Sequence, residues 1–231
     1  LQNTPNAKVA ILNQNDDYGK DYVIGMQQAM GDKFDKMVVK RESYETSDPT
    51  VDSQIVSLAN SGADVFVNIS IPKFAAQAIK KMAAIGWKPL HLLNDVSASI
   101  AATYKPAGFE NSKGIVSVDF YKDPNDPEWE NDAEKAKWLA WMAKYQPNGD
   151  LKNKNNVYGW AVCHTMMAVL EQAGDDLSRD NIMKQAGNLK QVKVPMLLPG
   201  MYIDTSPTDF FPIEQMQMMR FDGKGPVSYT H

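Results

Sequence analysis

Residues 8–22 read KVAILNQNDDYGKDY, and this stretch indicates the class of fold. The apolar run at residues 9–12 is continuous, as expected of a strand that is buried on both faces of a parallel sheet. Polar residues then interrupt the run, and Tyr18 and Gly19 stand where the chain turns into a helix. In open α/β sheets, ligands bind just beyond the carboxyl ends of the strands. The sequence therefore predicts that residues 16–19 occupy a functional position.

The first half of the chain repeats this alternation of strand and helix. Strand-like runs begin near residues 8, 37, 63, 89 and 114. Their spacing of about 25–30 residues is the scale of βαβ units. Between them, apolar residues recur at helical spacing, as at Val51, Ile55 and Leu58. The pattern predicts an α/β fold with a Rossmann-like, doubly wound parallel sheet.

The pattern changes after Phe120, where the proline-rich and acidic stretch KDPNDPEWEND indicates a crossover or linker. Helical segments follow around residues 132–145, 156–173 and 178–189, and strand candidates lie at 201–204 and 214–222. These helices have too few neighbouring strands to complete a second α/β lobe. The sequence therefore predicts one largely complete lobe and part of another.

Composition excludes several classes of protein. The chain has 231 residues, of which 43% are hydrophobic and 23% are charged, as in ordinary soluble globular proteins. Its net charge of −4 and its lack of a basic stripe argue against nucleic acid as a partner. The apolar runs are too short to span a bilayer. The single cysteine, Cys163, permits no disulfide within the chain.

Motifs of known enzymes and metal sites are absent from the sequence. It contains no glycine-rich phosphate loop and no HExxH, CxxC or GxSxG motif. The three histidines, at positions 91, 164 and 231, are scattered and form no metal-ligand pattern. We therefore predict a protein that is not an enzyme and that uses no cofactor and no metal.

Five stretches carry a family resemblance. They are KVAILNQNDDYGKDY, ESYETSDPTVDSQIVSLANSGADVF, PKFAAQAIKKMAAIGWKP, NNVYGWAVCHTMMAVLEQAGDDLSRDNIMKQA and LLPGMYIDTSPTDFFPIEQMQMMRFDGK. In this order they resemble the type I periplasmic solute-binding proteins of ABC transporters, in the branched-chain amino acid binding branch. The resemblance covers nearly the whole chain.

The resemblance implies two Rossmann-like lobes, joined by three hinge crossovers, that close on a small molecule. Members of the family carry most of their N-terminal lobe before the point that matches the start of this chain. Residues 1–120 and 214–231 are then expected to form the C-terminal ligand-binding lobe. Residues 121–213 are expected to return into the N-terminal lobe, whose missing part normally supplies a Ser/Thr-rich loop that grips the ligand carboxylate.

The implied function is that of the extracytoplasmic solute-binding subunit of an ABC importer. Such a subunit is periplasmic, or extracellular and membrane-anchored in a Gram-positive organism, and its signal peptide has been removed. We expect a monomer that delivers a small-molecule ligand to ABC permease subunits at the membrane. The alternatives are a ligand-sensing receptor domain or, further from the resemblance, an enzyme on the same fold.

Two candidate site residues are aromatic. Tyr18 matches a family position at which an aromatic side chain faces the cleft, and the alternative is a tyrosine that packs on its loop. Trp160 matches a cleft-facing aromatic residue of the N-terminal lobe, where its indole is suited to stacking or to capping an ammonium group. Its alternative is a tryptophan of the core. Asp16 is instead expected to shape the loop and to lie at the helix N-terminus.

The remaining candidates follow the third and fourth predicted strands. Ser70 matches a cleft-lining position, and its alternative is the N-cap of the helix that begins at Pro72. Asp95 matches an acid that pairs with the ligand's ammonium group in amino-acid-binding members, and its alternative is a solvated loop aspartate. Asn94 and Ser97 share the loop with Asp95 and are also candidates.

The candidate residues leave two classes of ligand open. Asp95 favours a branched-chain or other amino acid, because a buried carboxylate requires a cationic partner. Trp160 and the small Ser70 favour an aromatic carboxylate, because they offer a stacking surface and space.

Overall fold

The computed structural model describes residues 6–228. It divides into two compact units. Among the described residues, the first comprises 6–118 together with 218–228, and the second is Asp119–Gln217. The predicted boundaries of the partial lobe, 121 and 213, lie within four residues of the limits of the second unit.

The first unit is built on a mostly parallel sheet. Within residues 6–228 the sheet has seven strands, in the order β2-β1-β3-β4-β5-β6-β7. They are β1 (Val9–Gln14), β2 (Val38–Tyr44), β3 (Val65–Ile69), β4 (Leu90–Leu93), β5 (Val116–Asp119), β6 (Gln217–Phe221) and β7 (Pro226–Ser228). Strands β1 to β5 pair in parallel, whereas β6 and β7 pair antiparallel. The prediction of a Rossmann-like, doubly wound parallel sheet is confirmed.

Helices connect the parallel strands. The α-helices of the first unit are α1 (Asp17–Met30), α2 (Phe34–Met37), α3 (Asp52–Ala59), α4 (Pro72–Ile85), α5 (Lys105–Ala107) and α6 (Phe109–Ser112). Short 3₁₀ turns lie at Gly31–Lys33 and Asp95–Ser97, and a π-helical turn spans Ile100–Tyr104. A single helix begins directly after β1 and after β3, so the start of each helix is fixed to the carboxyl end of a strand.

The local sequence explains these elements. All six residues of β1 are buried, because helices cover both faces of a central parallel strand. Pro72 occupies the first turn of α4, where its missing N–H costs nothing. That helix ends at Gly86, whose φ of 72° is left-handed and therefore suits glycine. Its buried face, which includes Phe74 and Ile79, packs on the sheet core.

The second unit is mainly helical. Its helices are α7 (Ala133–Tyr145), α8 (Lys154–Ala173) and α9 (Arg179–Ala186), with a 3₁₀ turn at Pro127–Trp129. Trp138 is fully buried and packs with Val157 and Leu189 in the core of the unit. Ser178 caps α9 by accepting a hydrogen bond from the backbone N–H of Asn181.

The prediction of a strand at residues 201–204 is wrong. Ile203 pairs with Val192 in an isolated antiparallel bridge, and its neighbours do not extend the ladder. A strand requires a partner over several residues, and the segment opposite this stretch provides one residue only. The second predicted strand is present but shorter, as Gln217–Phe221.

Candidate functional site

The carboxyl ends of β1, β3 and β4 meet at one edge of the sheet, because these strands are parallel neighbours. The strand order reverses between β1 and β3, since β2 lies on one side of β1 and the later strands lie on the other. A crevice for ligands is expected at such a topological switch point. Five of the six predicted site residues lie at this edge: Tyr18, Ser70, Asn94, Asp95 and Ser97.

The loop after β1 is held by Asp16. Its carboxylate caps α1 by accepting a hydrogen bond of 3.2 Å from the backbone N–H of Gly19, and another of 2.5 Å from the side-chain amide of Gln14. These two hydrogen bonds hold the pKa of Asp16 below its ordinary value, and the bond from Gln14 has the larger effect. Asp16 thus shapes the loop and the helix start, as predicted.

Gly19 lies so close to β1 that no side chain fits. A Cβ atom at this position would lie 2.0 Å from the carbonyl oxygen of Gln14. We expect Gly19→Ala to lower the free energy of unfolding by about 2 kcal/mol, because the rigid backbone of β1 cannot yield. The measurement is urea denaturation. Gly25→Ala in the same helix is the control, since a Cβ there meets nothing within 4 Å. Equal stability of the two variants would contradict the conclusion that no side chain fits between Gly19 and β1.

Two tyrosines of α1 bind consecutive residues of the loop after β4. The amide of Asn94 is hydrogen-bonded to the hydroxyl of Tyr18. One turn further along α1, the hydroxyl of Tyr22 donates a hydrogen bond of 2.6 Å to Oδ1 of Asp95. The two rings meet edge to face, with their centroids 5.3 Å apart.

Both phenols are protonated at neutral pH. Burial, reinforced by the negative charge of Asp95, raises the pKa of Tyr18 above its ordinary value. Burial and the hydrogen bond to Asp95 also raise the pKa of Tyr22 above its ordinary value. Each hydroxyl therefore retains a proton that it can donate.

Asn94 has an unused hydrogen-bonding group. Its side chain is only 7% exposed, and its Oδ1 atom has no hydrogen-bond partner within residues 6–228. If the amide is rotated by 180°, the unpartnered atom becomes the nitrogen, so one end of the amide is free in either orientation. Buried polar groups are nearly always satisfied, and a group left open at the edge of a sheet is suited to a ligand.

Ser70 and Ser97 lie deeper, and their hydroxyls are already engaged. Both side chains are fully buried. The hydroxyl of Ser97 donates to the carbonyl oxygen of Ser70, and that of Ser70 donates to Oδ1 of Asn68. The interpretation of Ser70 as a helix N-cap is wrong, because the N-cap of α4 is Ile71. Their role in ligand binding stays a prediction.

Trp160 lies in the second unit, on α8. Its ring is half-buried and meets those of Trp141 and His164, at centroid distances of 5.1 Å and 4.5 Å. Its indole nitrogen is buried and has no hydrogen-bond partner among the described residues. These three rings, with Met167, line a cavity of about 700 Å³. Trp160 therefore borders both the core of its unit and a cavity.

Sequence reasoning missed Tyr22. Its position, four residues after Tyr18 on a predicted helix, was the available signal, because residues at that spacing share a helix face. No group of three or more His, Cys, Asp or Glu side chains within residues 6–228 is placed to hold a metal ion. None of the helices in the described part of the chain has the length and apolarity needed to cross a membrane.

Comparison with known proteins decides the family. A family model described as periplasmic binding protein matches residues 2–226. The chain belongs to this family. The resemblance to type I periplasmic solute-binding proteins is thereby confirmed. The members of this family are binding proteins that act outside the cytoplasm. A search of curated protein sequences found none that matches the chain.

Solved structures show the same fold. A branched-chain amino acid ABC transporter protein from Thermus thermophilus, with bound valine, has a TM-score of 0.82 at 14% identity over 100% of this chain and 61% of its own. A substrate-binding periplasmic protein from Ralstonia solanacearum has a TM-score of 0.78 and 16% sequence identity, and the match covers 96% of this chain and 61% of the relative. A leucine-binding protein from Thermotoga maritima has a TM-score of 0.72 and 15% sequence identity, and the match covers 99% of this chain and 61% of the relative. The chain thus spans about three-fifths of the length of these relatives.

Proposed function

We propose that the chain is part of the extracytoplasmic solute-binding subunit of an ABC importer, which captures a small organic solute between two hinged lobes. The observation that carries the proposal is the cluster at the carboxyl edge of the sheet. There, Asn94 keeps one unpartnered amide group beside Tyr18 and Asp95, at the switch point of a periplasmic binding protein fold. The subunit acts as a monomer in the periplasm and presents its closed form to permease subunits.

We also propose that the first unit is the C-terminal lobe of this arrangement and that the second is part of the other lobe. Helix α8 supports the second assignment, because it is apolar on opposite sides. Val157 is buried in the unit, whereas Met166 and Leu170, on the far side of the helix, are 50% and 41% exposed. A helix that is hydrophobic all round is typical of one covered on both sides. Further polypeptide of the same lobe would cover the exposed side.

We propose two classes of solute. The Thermus relative has bound valine and the Thermotoga relative is a leucine-binding protein, which, with Asp95, favours an amino acid here. Trp160 beside its cavity favours an aromatic carboxylate, because an indole face stacks on aromatic rings. Both classes are small enough to be enclosed by closing lobes.

The test is a ligand titration of the protein in its full natural length, followed by tryptophan fluorescence. The panel contains aliphatic amino acids and aromatic carboxylates. Saturable binding of one class would support solute capture and identify the class. No binding across the whole panel would contradict both proposed classes and would favour a sensor role or another solute.

We expect Tyr18→Phe to weaken binding of the identified solute. Loss of the hydroxyl removes the partner of the Asn94 amide, so the affinity should fall about 10-fold, equivalent to a hydrogen bond of ordinary strength. The measurement is the same titration. Tyr145→Phe is the control, because Tyr145 is 55% exposed on α7. An unchanged affinity in Tyr18→Phe would remove Tyr18 from the site.

A further inference from the structure

The carboxylate of Asp95 has no cationic partner among the described residues. Asp95 is half-buried and begins the 3₁₀ turn after β4. Among residues 6–228 it forms no ion pair with a lysine, arginine or histidine. A carboxylate removed from water in this way is costly unless a cation or hydrogen-bond donors compensate it. The closing of a site around Asp95 would increase this cost.

Tyr22 compensates part of the charge. Its hydroxyl donates to Oδ1 of Asp95 over 2.6 Å, which is the length of a charge-assisted hydrogen bond. Oδ2 receives no hydrogen bond from the described residues, so this oxygen remains available. The orientation of the carboxylate is thus fixed from one side only.

The Tyr22 hydroxyl is itself held in place. Its ring packs with the cluster that includes Val23 and Ile69, and it meets the edge of Tyr18. Tyr18 is in turn bonded to Asn94, the residue before Asp95. Two successive turns of α1 therefore bind two successive residues after β4, and a rotation of the Asp95 carboxylate would break the Tyr22 bond.

We propose that Tyr22 is a positioning residue, which fixes the Asp95 carboxylate so that Oδ2 faces the ligand and selects solutes that carry a protonated amine. The inference rests on the proposed function, because it concerns the same site. Tyr22 acts through Asp95 and makes no contact with the solute itself. An ammonium group supplies the positive charge that the protein does not provide at Asp95, and a solute without an amine leaves that cost unpaid.

The test compares pairs of solutes that differ only in the α-amino group. The pairs are L-leucine with 4-methylpentanoate and L-phenylalanine with 3-phenylpropanoate. The readout is the ratio of the two affinities within a pair, measured on the full-length protein. We expect the wild-type protein to prefer the amine. Tyr22→Phe should lower that ratio about 10-fold, because the Asp95 carboxylate is no longer held with Oδ2 toward the ammonium group and that contact is weakened. Binding of the analogue without an amine should stay the same.

Measuring the same ratios in the variant Asp95→Asn separates a positioning role of Tyr22 from a general structural effect. In Asp95→Asn the preference for the amine should be lost, and adding Tyr22→Phe should change the ratio no further. A merely structural role of Tyr22 would instead weaken both members of a pair equally. Tyr145→Phe again serves as the control, because its hydroxyl is remote from β4 in the sequence and exposed.

The outcomes distinguish the inference from the function on which it rests. If the wild-type protein binds a pair but Tyr22→Phe leaves its ratio unchanged, the positioning role is wrong and solute capture stands. A wild-type preference for the solutes without an amine would also overturn the inference alone. If the wild-type protein binds neither member of either pair, the proposed amino-acid and aromatic-acid classes fail, and the inference fails with them.

Discussion

Replacement of Lys154 by methionine is expected to lower the free energy of unfolding by about 3–5 kcal/mol, because it leaves a buried charge without its partner. Lys154 begins α8, and its ammonium group donates a hydrogen bond to Oδ2 of Asp119. Both side chains are only 5% exposed. Methionine fills a similar volume, so the expected loss comes from electrostatics and little of it from packing.

The surroundings of Asp119 explain why the loss is large. Its other oxygen, Oδ1, accepts hydrogen bonds from the backbone N–H groups of Phe120 and Tyr121, at 2.9 Å and 3.3 Å. Burial raises the pKa of Asp119, and Lys154 opposes this rise. Without Lys154 the carboxyl group must either remain charged in a dry site or take up a proton. Both alternatives cost free energy at neutral pH.

The measurement is urea denaturation at neutral pH, with two further variants. Lys152→Met is the matched control, because that side chain is exposed two residues earlier, and its effect should stay below about 0.5 kcal/mol. The double variant Lys154→Met with Asp119→Asn should recover much of the loss, since asparagine keeps an acceptor for the two N–H groups and carries no charge. A stability of Lys154→Met within about 1 kcal/mol of wild type would show that the pair is not needed.

The sequence predicted the sheet because its signals are local. The continuous apolar run of β1 and the helical spacing of Val51, Ile55 and Leu58 each lie within a few residues, and the structure contains the elements that they predict. The prediction of a strand at 201–204 failed because a strand also requires a partner segment outside the predicted stretch. Only Ile203 finds one there, at Val192. Propensity alone does not supply a neighbouring strand.

Some features of the candidate site could likewise be predicted from the sequence, and others could not. The position of Tyr18 after β1 and of Asn94 after β4 followed from topology. Their direct contact did not, since it joins residues 76 positions apart. Ser70 has a local pattern that suits an N-cap, yet its hydroxyl is drawn inward by Asn68. The sequence thus located the edge of the sheet at which the site lies, and only the packing of α1 against the loop after β4 revealed Tyr22.

His91 is expected to make the protein sensitive to acid. It lies on β4, is 6% exposed, and packs against Phe66 with ring centroids 4.9 Å apart and the ring planes tilted by 44°. Its Nε2 atom forms a hydrogen bond of 3.2 Å with the side-chain amide of Asn68. Burial lowers the pKa of His91 to about 3, from an ordinary value of 6.5.

The sign of the effect follows from proton binding. Below an ordinary histidine pKa the unfolded chain takes up a proton at this position, whereas the folded protein does not until the pH approaches the lowered value. The stabilisation is therefore fully present above about pH 6.5 and is lost as the pH falls toward 3. Between neutral pH and about pH 4, this single residue should remove about 3 kcal/mol from the free energy of unfolding.

The measurement is urea denaturation at a series of pH values, for the wild-type protein and for His91→Gln. Glutamine does not titrate, so the difference between the two curves isolates His91 from the carboxyl groups that also titrate in this range. Wild-type stability should fall relative to the variant by up to about 1.4 kcal/mol per pH unit, the limit for one proton. Parallel curves for wild type and His91→Gln would mean that His91 takes up a proton in the folded protein, through an opening of β4 to water.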